Sequence, residues 1–192
     1  RGCANVTKPF TITPIDIITL DPATISVTNT DCPGANNGSI SVVATRVNGP
    51  ASYQYILNNI TTGISSVAQT TNTFAGLVQG DYTVTVSDGY GCDATTATLS
   101  IVDPPILEID AAITQEPNCT PNSGEITVSA TGGSGAYEFS IIAPAAYATG
   151  WSTQTVYSSL ASATYEFSVR DSATPTCISP LTVVRTINVV ED

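Results

Sequence analysis

The chain has 192 residues, of which 42% are hydrophobic and 11% charged, with five Lys plus Arg against sixteen Asp plus Glu. A net charge of −11 repels phosphate backbones and anionic lipid, which argues against nucleic acid and membrane surfaces as partners. Histidine is absent, so serine and cysteine triads that depend on it are excluded.

Thr, Ser, Val, Ile, Ala and Tyr dominate, and the strong helix formers are scarce. β-Branched and aromatic residues suit a pleated, half-buried surface, so the composition predicts an all-β fold. No apolar run reaches 18 residues, so no membrane-inserting segment is expected. The chain opens at Arg1, in a strand-like pattern with no leader, and reads as a piece of a longer protein.

In chain order, Gly2-Cys3 and Phe10-Thr11-Ile12-Thr13-Pro14 read as the last strand of a repeat, spanning 1–14. Strands follow near 24–29, 39–45, 53–57, 72–75, 81–87 and 94–101, which are A, B, C, E, F and G of a sandwich. Ile40, Val42 and Ala44 alternate with Ser39, Ser41 and Val43, and Val84 and Val86 with Thr83 and Thr85. Turn signals lie at Asn48-Gly49-Pro50, Asn58-Asn59, Gly76 and Asp88-Gly89-Tyr90-Gly91. Asp103-Pro104-Pro105 reads as a short, stiff linker.

The pattern then starts again. Cys32, Asn37-Gly38-Ser39-Ile40 and Val42 correspond to Cys119, Ser123-Gly124-Glu125-Ile126 and Val128. Leu77, Gly80, Tyr82, Val84, Val86 and Asp88 correspond to Leu160, Ala163, Tyr165, Phe167, Val169 and Asp171. Cys119 follows Cys32 by 87 residues, Cys177 follows Cys92 by 85, and Cys92 follows Cys3 by 89. The expected domains are therefore two repeats, 15–104 and 105–192, set head to tail as a rod. Leu77-x-x-Gly80-x-Tyr82 and Leu160-x-x-Ala163-x-Tyr165 have the spacing of a tyrosine corner, in which the phenol bonds back to the preceding loop.

These motifs resemble the SprB-type repeat of giant gliding adhesins in the Bacteroidota. Asn37-Gly38-Ser39-Ile40, Tyr53-Gln54-Tyr55, the run from Leu77 to Asp88 and Gly91-Cys92 carry the likeness in the first repeat. Gly132-Gly133 carries it in the second, where Tyr137-Glu138-Phe139 replaces Tyr-x-Tyr and Asp171 to Cys177 lengthens the last hairpin. The strand spacing and the corner motif predict an Ig-like Greek-key sandwich in each repeat, and the resemblance implies export by type 9 secretion and display on the outer surface. Regular repetition without a reactive constellation points to a passive spacer in an adhesin stalk, and acidic charge with short linkers points to a monomeric rod whose partners are the flanking repeats of the same chain.

Chemistry-bearing residues are few. Lys8 is the single lysine, and the carboxylates are spread over turns and strand ends, so no enzyme is expected. No cofactor is expected, and calcium is the one cation the residues leave open, at Asp88 and Asp93 around a hairpin or Asp103 and Asp110 around the linker. Tyr147, Trp151 and Tyr157 fall in an irregular stretch and would, if grouped, offer a sugar platform; surface polysaccharide is then the ligand, and the alternative is a loop tryptophan capping one end of the sandwich. Asp171-Ser172-Ala173 matches an O-glycosylation signal of the Bacteroidota, with Ser172 as acceptor.

The five cysteines fit an oxidising, extracellular setting. Two pairings stand open. Within repeats, Cys32 would bond Cys92 and Cys119 would bond Cys177, leaving Cys3. Yet Cys32 precedes strand B and Cys92 follows strand F, and B and F run the same way in an Ig-type key. A strand of six residues spans about 20 Å, whereas a disulfide needs Cα atoms within about 7 Å. The other pairing is therefore Cys32 with Cys177, across the repeats, with Cys3, Cys92 and Cys119 left for partners elsewhere.

Overall fold

The structure, a computed structural model, describes residue 9 and residues 17–46, 52–117 and 122–188. Cys3, Cys119 and the turn at Asn48-Gly49-Pro50 lie outside the described residues. In the first sequence period the strands are β1 (Thr19–Leu20), β2 (Ser26–Thr28), β3 (Gly38–Ser41), β4 (Ala44–Thr45), β5 (Gln54–Asn59), β6 (Ile64–Ser65), β7 (Thr73–Leu77), β8 (Gly80–Ser87), β9 (Asp93–Thr95) and β10 (Leu99–Ile101). The second period holds β11 (Glu108–Gln115), β12 (Gly124–Thr131), β13 (Tyr137–Ala143), β14 (Val156–Leu160), β15 (Ala163–Asp171) and β16 (Val183–Ile187).

The strand orders are those of an Ig-like β-sandwich. One sheet of the second period runs β11-β12-β14 and the other β13-β15-β16, which are A-B-E and C-F-G. The first period repeats this as β2-β3-β7 and β10-β8-β5-β6, with β9 also on β8. Ile126 and Val128 on one sheet meet Phe139, Ile141, Phe167 and Val169 on the other in a single apolar core. Burying each such side chain stabilises the fold by roughly 1.5–3 kcal/mol. In the first period Ile40, Val42 and Ala44 are buried and Val43 is exposed, following the sequence alternation.

Two turn assignments change. Strand C continues through Asn58 and Asn59, and the chain reverses at residues 60–63 instead. There the Asn59 side chain accepts from the Thr62 N–H at 2.9 Å, and Gly63 takes φ 72°. Asparagine thus opens the turn from the last strand position, because its side chain mimics a backbone acceptor. Gly76 lies inside β7, not in a turn, at φ 72°.

The chain divides into two compact units, one of Arg1–Val27, Ile40–Phe74 and Gly80–Ser100 and the other of Thr28–Ser39, Ala75–Gln79 and Ile101–Asp192. This differs from a division at 104/105, since two segments of the first period belong with the second. Bonds within that unit explain the first of them: Cys32, Thr30 and Gly34 are all tied to residues beyond 100.

Candidate functional site

The segment before strand β3 is a tight loop built around Asp31, Cys32, Pro33 and Gly34. The Asp31 N–H donates to the Asn37 side chain at 3.1 Å, and the Asn37 amide returns a bond to the Asp31 carboxylate at 2.8 Å. The Ala35 N–H closes the turn on the Cys32 carbonyl at 3.0 Å, and Gly34 takes φ 75°. Asp103, in the presumed linker, holds the loop from the other side. Its carboxylate accepts the Thr30 hydroxyl at 2.5 Å and the Gly34 N–H at 2.7 Å. Within the same unit Cys32 forms a disulfide with Cys177, with Cα atoms 5.5 Å apart. The Cys32–Cys92 pairing does not form. An apolar groove of about 330 Å³ runs beside the bond, lined by Cys32, Pro33, Ile106, Thr176, Cys177 and Ile178 among others.

Cys177 and Cys92 occupy the same place in their hairpins. The N–H of Asp171, at the end of β15, donates to the Cys177 carbonyl at 2.9 Å. The N–H of Asp88, just after β8, donates to the Cys92 carbonyl at 3.2 Å. Both aspartates are buried and both turn their carboxylates inward. Asp88 accepts from the N–H groups of Tyr90 and Cys92 and pairs with Arg46. These backbone bonds, Tyr90 first, hold its carboxyl below the usual value against the opposing effect of burial. Asp171 accepts the N–H and hydroxyl of Ser134 at 2.6 and 2.7 Å and the N–H groups of Ala173 and Thr174. Burial pushes the Asp171 carboxyl up, but these donors together outweigh it and hold the group below its ordinary range. Cys92 is a free, half-buried thiol.

The hydroxyl of Tyr165 donates to the Ala161 carbonyl at 3.0 Å, which is the corner predicted for the second repeat. Burial raises this phenol to about 12. Leu160 and Tyr165 are both buried in the core. In the first repeat Tyr82 is buried, Leu77 is half-buried and Gly80 takes φ 158°, with the Tyr82 ring close to where its β-carbon would be.

The three aromatics of the irregular stretch serve different surroundings. Tyr157 is buried and packs on Phe167, with ring centroids 5.3 Å apart. Tyr147 meets Tyr165 edge to face at 5.4 Å. Trp151 is half-buried, and the Arg170 guanidinium lies 4.9 Å from its ring centroid. Arg170 is itself paired with Glu138 at 2.7 Å. The cation thus sits against one face of the indole. Ser172 is half-buried, and its N–H donates to the Ala136 carbonyl.

Asp103 and Asp110, weighed as cation ligands, have protein donors: Asp110 accepts from the Ala111 N–H and pairs with Arg185 at 2.9 Å. Asp93 is exposed. Among the described residues no three His, Cys, Asp or Glu side chains converge as a metal site. Sequence reasoning missed the loop-gripping role of Asp103 and the donors around Asp171. The visible signal was position: Asp88 and Asp171 recur at the same step of the pattern.

The model of the SprB repeat family matches residues 111–146, from strand β11 through β13. Residues 111–146 thus match a SprB-type repeat. No curated protein matches the chain. Among solved structures, three N-terminal domains of the Hoc outer capsid protein of bacteriophage RB49 align with TM-score 0.51 at 12% identity, over 86% of this chain and 59% of that one. A C-terminal fragment of intimin, in complex with the intimin-binding domain of its translocated receptor, aligns with TM-score 0.41 at 18% identity, over 88% of this chain and 64% of that one. Fibronectin(III)-like modules of Clostridium thermocellum CbhA align with TM-score 0.36 at 16% identity, over 90% and 95%. The chain thus spans less than two thirds of the first two structures it matches. The likeness to the capsid protein bears on the fold alone. No helix among the described residues is long and apolar enough to cross a membrane.

Proposed function

We propose that this chain is a non-catalytic spacer section in the stalk of a large secreted cell-surface adhesin, of the gliding or attachment kind, exported by type 9 secretion. The observation that carries the reading is the Cys32–Cys177 bond, which ties one sequence period covalently to the next. A spacer must transmit load along the chain, and a covalent tie between successive repeats serves that end. The buried carboxylates support it too, because Asp88 and Asp171 spend their oxygens on turns rather than on a ligand. In this reading the chain is monomeric, takes no cofactor, and has flanking repeats as its partners.

A glycan array tests the reading. The chain and a Trp151→Ala variant are applied in parallel, and neither is expected to bind. Micromolar binding that the substitution abolishes would replace the spacer with a carbohydrate-binding module.

A further inference from the structure

Cys92 stands where Cys177 stands, yet only Cys177 is bonded. The equivalence is structural as well as sequential. Each cysteine closes the hairpin after strand F by accepting, at its carbonyl, the N–H of a buried aspartate, Asp171 at the end of β15 and Asp88 just after β8. Beside Cys177, the residues Cys32 and Pro33 share the lining of one groove with Thr176 and Ile178. At the Cys92 turn Gly89, Tyr90 and Gly91 are exposed, Tyr90 by 74%. Of the loop residues that receive Cys177, the Asp31-Cys32-Pro33-Gly34 turn is the specific part, preset by Asn37 and by Asp103.

We propose that Cys92 is the acceptor of a second bridge of the same kind, made with the cysteine of an Asp-Cys-Pro-Gly-type loop on a further repeat of this chain's own type. Tyr90 packs against the incoming Cys-Pro turn, as Thr176 and Ile178 line the groove with Pro33. The proposal rests on the reading of the chain as a section of a repeat array. Its test is separate, because disulfide mapping and glycan binding fail independently.

The chemistry needs an oxidant, and a low-molecular-weight disulfide such as glutathione disulfide supplies it. The Cys92 thiol loses its proton, and the thiolate attacks one glutathione sulfur and releases the other half as thiolate. The partner cysteine then displaces the second glutathione from Cys92. Two protein thiols are oxidised to one disulfide, and one glutathione disulfide is reduced to two thiols.

Two measurements decide the matter. In the unaltered chain, native incubation with glutathione disulfide is expected to place a mixed disulfide on Cys92. No reaction at Cys92 until denaturant is added would mean a sealed thiol and would overturn the proposal. In a chain with residues 15–104 duplicated in tandem, and Cys92→Ser in the front copy, non-reducing peptide mapping is expected to link the front Cys32 to the rear Cys92. The Cys32–Cys177 peptide in the same digest certifies the fold. Alkylation of Cys92 is lost, and Cys32→Ser in the front copy restores it. A Cys92 that alkylates fully beside an intact Cys32–Cys177 bond, or one that stays bridged when the front Cys32 is removed, would refute the proposal.

Discussion

A β-carbon placed on Gly124 would lie 2.9 Å from the carbonyl oxygen of Leu160, and one placed on Gly38 would lie 2.9 Å from that of Leu77. The two glycines open strand B of their repeats, and the two leucines precede the corner into strand F. Ile187 and Ile101 on the last strands close the same space, at 3.0 Å in both. Neither glycine is held there by backbone conformation, since neither has a positive φ. The glycine in the Gly-x-Ile motif is therefore a steric requirement: the corner backbone crosses where a side chain would stand.

The first prediction follows. Gly124→Ala forces strand β12 away from the Leu160 carbonyl, which is backbone and cannot swing aside. Overpacking of this kind costs about 1–3 kcal/mol. The melting temperature of the variant should fall by several degrees. An unchanged melting curve would show that the corner yields freely, and the steric account would be wrong.

The second prediction concerns Cys32–Cys177. The bond closes a loop of sequence separation 145. Cross-links of such span stabilise by limiting the unfolded chain, by about 2–5 kcal/mol. The Cys32→Ser, Cys177→Ser double variant should unfold at lower denaturant, and its Asp31 and Gly34 amides should exchange fastest. Asp103, through Thr30 and Gly34, and Val102, through Asn29 and Thr30, must then hold the loop. If exchange in residues 28–39 is unaffected, those hydrogen bonds suffice and the disulfide is not what orders the segment.

Much of this was legible in the sequence, for a physical reason. Period-two alternation puts Ile40 and Val42 on the buried face and Val43 on the exposed one, and burial follows it. The corner tyrosine was readable because one spacing recurs twice, and Tyr165 does bond back to Ala161. The sugar platform was not readable, because three aromatics near in sequence face different neighbours. Tyr157 enters the core and Tyr147 meets Tyr165, while Trp151 is covered by Arg170, 19 residues away along the chain. The grip of Asp103 was hidden likewise: its donors lie 73 and 69 residues upstream, and no local pattern announces them.

The third prediction tests the corner. Tyr165→Phe keeps the buried ring and removes the bond to Ala161. A hydrogen bond of this kind is worth about 0.5–1.5 kcal/mol net. Stability should drop by that much while the near-ultraviolet signature of the packed core survives. The raised phenol adds a second readout. Its folded value of about 12 lies above the ordinary phenol value of 10.0, so its contribution is whole below pH 10 and is lost as pH rises toward 12. The variant should resist alkaline unfolding better, relative to its neutral stability, than the parent.

The fourth prediction concerns acid. The donors around Asp171 and Asp88 hold both carboxyls below the ordinary carboxylate value of 3.8. A carboxyl with a depressed folded value is bound by more protons in the unfolded chain than in the folded one as pH falls through that window. Stability from these groups is therefore complete above their unfolded value and is lost as pH drops through their folded values. For Asp171 the loss has a structural meaning: protonation weakens a carboxylate that joins the Gly133–Ser134 turn to the start of the last hairpin, through Ser134, Ala173 and Thr174. Asp171→Asn removes the charge and presents an amide where Ser134 expects an acceptor. The variant should be less stable at pH 7, and its stability should fall less between pH 5 and pH 2 than that of the parent. Because the Cys177 carbonyl is bonded to the Asp171 N–H, the turn that positions the disulfide should loosen with it. Denaturant titration across that pH range measures the slope directly. Equal slopes in parent and variant would mean that Asp171 is not among the groups that set the acid limit, leaving Asp88 and its Arg46 partner to account for it.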